Sequence, residues 1–95
     1  IVSSTDIKNL TQIVGATVYP NPGNGEFNLA LYGLTNTEVS YSVMDISGRE
    51  VLRSSAGAKT GDFTTTINIQ DFAAGVYTLV LKRDGVVDYI KLCKY

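Results

Sequence analysis

Apolar and polar residues alternate along most of the chain from Ala16 onward. A period of two predicts β-strands with one buried face, because successive side chains of a strand point to opposite sides. Clusters of Gly, Pro, Asn and Asp separate the alternating segments and are typical of turns. No segment has a convincing helical pattern. Seven strands are predicted, over residues 16–19, 26–32, 39–46, 49–55, 63–69, 76–83 and 86–95.

The alternation also assigns a buried face to five of these strands. Asp84-Gly85 between the last two strands is a strong signal for a two-residue hairpin. In the last strand, Tyr89, Lys91 and Cys93 are assigned to the opposite face. The residues predicted to point inward are Phe27, Leu29, Leu31, Val39, Tyr41, Val43, Thr65, Ile67, Ile69, Tyr77, Leu79, Leu81, Ile90 and Leu92.

Short strands with regular turn signals and no helix are typical of an antiparallel sandwich of two sheets. We therefore predict an all-β fold, a seven-stranded antiparallel β-sandwich of immunoglobulin-like or fibronectin-III-like type, with a barrel as the alternative. Tyr77 supports the sandwich, because it follows a compact corner where such folds tie a tyrosine hydroxyl to backbone upstream. Residues 1–15 are predicted to be a linker or a loosely held N-terminal segment, and residues 16–95 the domain.

Size and charge narrow the class of protein. The 95 residues make one domain, and a net charge of −1 argues against a nucleic-acid partner, which requires clustered Lys and Arg. No run of 18 apolar residues is present, so no direct membrane insertion is expected. The chain begins without Met and without a signal-peptide pattern. We expect a fragment or mature segment of a longer protein, ending at a natural C-terminus.

The residues for catalysis and metal binding are sparse. Histidine is absent, which removes the commonest general base and metal ligand, and no G-x-S-x-G or EF-hand pattern occurs. We expect no catalytic residues, no cofactor and no metal site, so the protein is not expected to be an enzyme. Cys93 is the single cysteine, so no internal disulfide can form. A half-buried Cys93 is favoured over an exposed thiol that links two chains.

The stretch "YPNPGNGEF" (residues 19–27) concentrates turn residues between apolar segments. Pro20 and Pro22 fix their own φ angles and favour extended geometry in the residues before them. Gly23 and Gly25 then allow the chain to reverse into the next strand. Taken by itself, this stretch predicts a rigid entry to the domain.

Four blocks in this order, however, resemble a known family. "YPNPGNGEFNL" is followed by "VMDISGREV", "INIQDFAAGVYTLVL" and a terminal "YIKLCKY". Together they resemble the type A C-terminal sorting domain of the type IX (Por) secretion system of Bacteroidetes, over about residues 18–95. The family's P-x-x-G element, with YPN before it, corresponds to residues 19–25, its D-x-x-G turn to 45–48 and its G-x-Y element to 75–77.

The resemblance implies a set of sorting-signal residues, which includes two candidates for the lysine of the last strand. Cys93 departs from the family pattern, where an aliphatic residue is commoner, and this bears on the packing of the last strand. The implied motif residues are Tyr19, Pro20, Asn21, Pro22, Gly25, Asp45, Gly48, Gly75, Tyr77, Lys91 and Lys94.

The resemblance also implies a function as an address. A precursor would cross the inner membrane, fold in the periplasm, and be recognised at the outer membrane by the type IX translocon. A surface sortase would cleave in the linker, here within residues 1–15, and could attach the upstream cargo to the cell surface; otherwise the cargo is secreted. The alternatives are a carbohydrate-binding module, for which six tyrosines are available, and a passive spacer module of a secreted multidomain protein.

The last strand is the expected carrier of the address. β-Rich domains are often recognised by strand pairing at an edge or by side chains beside an edge. Lys91 would make a charged contact outside the core, while Ile90 and Leu92 hold the strand in register. The alternative is that Lys91 only protects the edge from unwanted pairing.

Overall fold

The computed structural model describes residues 11–13 and 15–95, and this part of the chain forms one antiparallel sheet without a helix. The all-β, antiparallel prediction is therefore confirmed. The strands are β1 (Thr11–Ile13), β2 (Ala16–Tyr19), β3 (Glu26–Met44), β4 (Glu50–Asn68), β5 (Gly75–Arg83) and β6 (Val86–Lys94).

The predicted count of seven strands is wrong, because the described residues form six. Residues 26–32 and 39–46 were predicted as two strands but belong to one, β3, which ends at Met44. Residues 49–55 and 63–69 likewise belong to β4. The polar, Gly-containing segments between them look like turns in sequence. Instead they stay paired with each other across register shifts near Leu31, Leu34 and Thr37. Such bulges bend a strand without ending it.

The bent β3–β4 hairpin organises the sheet. β4 lies along one edge of β3 from Glu26 to Met44. On the other edge, β2 pairs with residues 28–31 and β5 pairs with residues 39–44. β1 extends the sheet beyond β2, and β6 extends it beyond β5. The sheet therefore curls, and both halves of β3 contribute side chains to one apolar cluster.

The core matches the predicted inward positions almost throughout. Thirteen of the fourteen residues are buried, and only Thr65 is partly exposed. The Tyr41 hydroxyl lies 3.4 Å from Oγ1 of Thr65, so the two halves of the long hairpin also meet through a polar contact. The alternation in sequence thus predicted the buried face correctly even where it divided one strand into two.

The β5–β6 hairpin forms as predicted. Asp84 and Gly85 are its two loop residues, with φ angles of +49° and +82°. Positive φ at both positions is the geometry of a type I′ turn, whose twist matches that of the flanking strands. Asp84 also contacts β3, where its Oδ1 accepts the Glu38 N–H at 2.8 Å. This contact holds the hairpin tip against the long hairpin.

The linker prediction falls mainly on residues 1–10 and 14, which lie outside the described residues. The predicted domain start at Ala16 coincides with the start of β2, and the three residues of β1 pair with β2 upstream of it. Within the described residues, no helix has the length and apolar character needed to cross a membrane. The same residues contain no cluster of three or more Cys, Asp or Glu side chains that could hold a metal ion.

Candidate recognition site

The loop between β2 and β3 lies against the end of β6. Gly23 pairs with the strand in parallel: its N–H donates to the Cys93 carbonyl at 2.9 Å, and its carbonyl accepts the Tyr95 N–H at 3.0 Å. The loop thereby covers part of the strand edge that faces away from β5. The first and last sequence blocks, 70 residues apart in the chain, form one structural unit.

Asn21 completes this unit with its side chain. Its Nδ2 donates to the Lys91 carbonyl at 2.8 Å, and its Oδ1 accepts the Cys93 N–H at 3.0 Å. The side-chain amide carries both a donor and an acceptor, so it substitutes for the backbone of a neighbouring strand. Asn21 is 8% exposed, one of two buried polar residues among those described. We call the pairing of Asn21 and Gly23 with residues 91–95 the clasp.

The loop packs closely on itself, on Gln70 and on the Lys94 side chain because two of its residues lack side chains. A Cβ on Gly23 would lie 2.7 Å from the Pro20 carbonyl oxygen. A Cβ on Gly25 would lie 2.8 Å from the Cα of Gln70 and 2.7 Å from Cε of Lys94. The Gly25 carbonyl also accepts the Ile69 N–H at 2.7 Å. The peptide bonds before both prolines of the loop are cis.

The third sequence block lies on the other side of β6. Gly75 is the register partner of Lys94, which bridges to Gly23 on its opposite edge. Gly23, Lys94 and Gly75 therefore form one row across the sheet. Two residues further on, Tyr77 is buried and its hydroxyl donates to the Ala73 carbonyl at 2.6 Å. This is the corner geometry that the sequence predicts.

The second block forms the tight turn between β3 and β4. Oδ1 of Asp45 accepts the Ser47 hydroxyl at 2.6 Å and the backbone N–H groups of Ser47 and Arg49 at 3.0 Å each. These bonds, above all the one from the Ser47 hydroxyl, hold the pKa of the Asp45 carboxyl below its ordinary value. Their contribution to stability is present above the ordinary pKa and is lost as the pH falls through the lowered one. Gly48 closes the turn with a φ of +87°.

A shallow groove joins the second and third blocks. It has a volume of about 430 Å³ and runs between the Asp45 turn and the corner before β5. Its walls include Phe72 and Val76, which are partly exposed, and Ile46, which is 86% exposed. All four blocks therefore converge on one end of the domain, which we call the clasp end.

A comparison with known families accounts for this convergence. The sequence model of the secretion system C-terminal sorting domain matches residues 17–94. The chain belongs to that family. No curated protein matches the chain.

The sorting domain is the type IX secretion signal of secreted cargo proteins, and the predicted family is confirmed. Its family is one of address domains and not of enzymes. Membership implies that the domain is part of a cargo precursor, interacts with the type IX machinery and is carried across the outer membrane to the cell surface or beyond.

The predicted motif residues lie at or near the clasp end, and they differ in burial. Asn21, Gly25 and Tyr77 are buried, and so is Gly23, which is outside the predicted set. The Asp45 side chain is half-buried in its turn. The exposed members of the set, apart from Lys91, are Tyr19, Pro20, Pro22, Gly48 and Gly75. Lys94 is half-buried beside the loop. Lys91 is exposed, and no ion pair to it forms among the described residues.

Sequence reasoning did not foresee the clasp. It assigned Asn21 to a motif and Lys91 to a strand without indicating that one binds the other. The local pattern predicts Gly23 only as a turn residue, although its backbone makes two hydrogen bonds of the clasp. One signal was present: an asparagine fixed between two prolines is well placed to offer both amide groups to a neighbouring strand.

Proposed function

We propose that the export signal is the outer face of β6, held in place by the clasp. Convergence of all four motif blocks on the end of this strand is the observation that carries the proposal. Buried members of the motif, such as Asn21 and Tyr77, hold the strand and the corner beside it. Exposed residues, with Lys91 foremost, are left to contact the secretion machinery. The clasp also explains why the first and last blocks occur together.

The finer route of export is part of the same proposal. The precursor folds in the periplasm, the type IX translocon recognises the domain at the outer membrane, and a surface sortase cleaves within residues 1–15. The cargo is then attached to the surface or released. The domain itself performs no catalysis. This division between a 1–15 linker and a 16–95 domain is supported by the family match, which begins at residue 17.

We infer an immunoglobulin-like sandwich as the fold behind this signal. The register shifts in the β3–β4 pairing divide each strand into two halves, which this inference assigns to opposite layers. With the halves counted separately, the segments from β2 onward number seven, as an immunoglobulin-like sandwich requires. One continuous apolar cluster between the halves supports this assignment. No specific observation favours the carbohydrate-binding or spacer alternatives.

Lys91→Glu tests the proposed contact. The side chain is exposed and without an ion pair in the described part of the chain, so the melting temperature of the domain should not change. Reversal of a charge at a recognised surface should lower export by at least about tenfold. The measurement is the secreted fraction of a fluorescent reporter fused ahead of residues 1–95, in a bacterium with the type IX system.

Lys59→Glu is the matched control. Lys59 lies on β4, where its Nζ is 5.0 Å from the centre of the Phe63 ring, and the proposal gives it no part in recognition. Its export should stay at the wild-type level. Wild-type export of Lys91→Glu would show instead that the lysine serves only to protect the strand edge.

A further inference from the structure

The clasp covers only part of the outer edge of β6. Its hydrogen bonds reach the backbone of Lys91, Cys93 and Tyr95. Alternate residues of an antiparallel strand direct their N–H and C=O groups to the same edge. The backbone groups of Val87 and Tyr89 therefore point to this edge too. In the described part of the chain, no strand pairs with them there.

This open edge differs from the other long edge of the sheet. β4 meets β3 with four register shifts, and Gly57 and Gly61 break its regularity with φ angles of +76° and +82°. Irregular edges of this kind resist pairing with other chains. β6, in contrast, keeps nine consecutive partners on β5 without a shift. Its outer edge is therefore straight enough to receive another strand.

The side chains beside the open edge are apolar and positively charged. Tyr89 is 68% exposed and Val87 is 39% exposed. Lys91 is exposed on the same face, as is Lys82, the register partner of Val87 on β5. No Asp or Glu occurs at the outward positions of β5 or β6. A complementary strand would thus combine apolar side chains with a carboxylate.

We propose that a protein of the secretion machinery adds an extended strand to β6 along residues 87–91. Its backbone pairs with the outward N–H and C=O groups of Val87 and Tyr89, its apolar side chains pack on these two residues, and a carboxylate lies beside Lys91. This inference rests on the proposed function and names the kind of contact that reads the signal. A second copy of the chain fits less well, because two-fold pairing would bring Lys82 and Lys91 of both copies onto one face.

Substitution of Tyr89 separates backbone pairing from side-chain contact. Tyr89→Pro removes the side chain and the outward N–H, whereas Tyr89→Ala removes the side chain alone. The N–H of this residue points away from β5, so proline deletes no bond of the β5–β6 ladder. We expect export of the reporter fusion to fall at least about tenfold further for Tyr89→Pro than for Tyr89→Ala, since a paired backbone donor is lost.

Val87→Pro and Val87→Ala repeat the comparison at the second free position, in case proline at residue 89 lowers the melting temperature of the purified chain. Equal export of each proline and alanine pair would overturn strand addition. So would a wild-type dimer that Tyr89→Pro dissociates without loss of export, since the edge would then serve a second copy. Failure of the proposed function is a distinct result: the wild-type fusion would be exported equally with and without the translocon.

Discussion

Asn21→Ala is expected to lower the free energy of unfolding by about 2–4 kcal/mol, a large part of the stability of a domain this size. The alanine leaves the Lys91 carbonyl and the Cys93 N–H without the partners that the buried amide supplies. It also leaves the end of β6 held to the loop only through the backbone of Gly23. Chemical denaturation of the purified chain measures the change, and export of the reporter fusion should fall with it.

Asn28→Ala is the control for this prediction. Asn28 also donates to a backbone carbonyl, that of Tyr19, but at 3.4 Å and from a more exposed position. Its replacement should cost less than about 1 kcal/mol. Asn21→Asp adds a finer test, since it keeps the acceptor for Cys93 and loses the donor to Lys91. If Asn21→Ala and Asn28→Ala prove equally stable, the clasp does not stabilise the domain.

Gly25→Ala is expected to destabilise the domain by about 3–5 kcal/mol, through backbone strain and steric overlap together. Gly25 has a φ of +115°, which residues with a Cβ rarely adopt. The added Cβ would also lie 2.8 Å from the Cα of Gln70, which is backbone and cannot rotate away. The loop would have to move off the corner, and the clasp would open with it.

Gly48→Ala separates the cost of backbone strain from the cost of steric overlap. Gly48 also has a positive φ, +87°, but a Cβ there would meet no atom within 4 Å. Only the conformational cost remains, about 1 kcal/mol. Thermal unfolding of Gly25→Ala and Gly48→Ala measures the difference. Equal melting temperatures would mean that steric overlap between the loop and the corner adds nothing to the cost of Gly25→Ala.

Alternation in the sequence predicted which side chains are buried because burial depends on a local period of two. It could not tell a turn from a bend. Gly33 and Asn36 have positive φ angles, as they would in a turn, yet the chain around them stays paired with β4. Whether such a segment reverses or only bends depends on the strand opposite it, which local pattern does not specify.

The candidate site likewise has parts that short motifs predict and a part that they do not. The type I′ hairpin at Asp84-Gly85 and the corner at Tyr77 follow from short motifs, and both form. The clasp joins residues 70 to 72 positions apart and depends on the curl of the sheet. The outer edge of β6 upstream of Lys91 can likewise be located only in the folded structure, because it is defined by where the β2–β3 loop stops covering the strand. Recognition of the family depended on the motifs, but the reason for their joint occurrence is three-dimensional.

Export of a reporter tests the central claim most directly. Residues 1–95 are fused behind a signal peptide and a fluorescent protein, and the fusion is expressed in a type IX bacterium and in a strain that lacks the translocon. A known sorting domain is fused in parallel. Arrival of the fluorescence at the surface or in the medium only when the translocon is present is the predicted result. Retention in the periplasm of both strains, while the known domain is exported, would contradict the account.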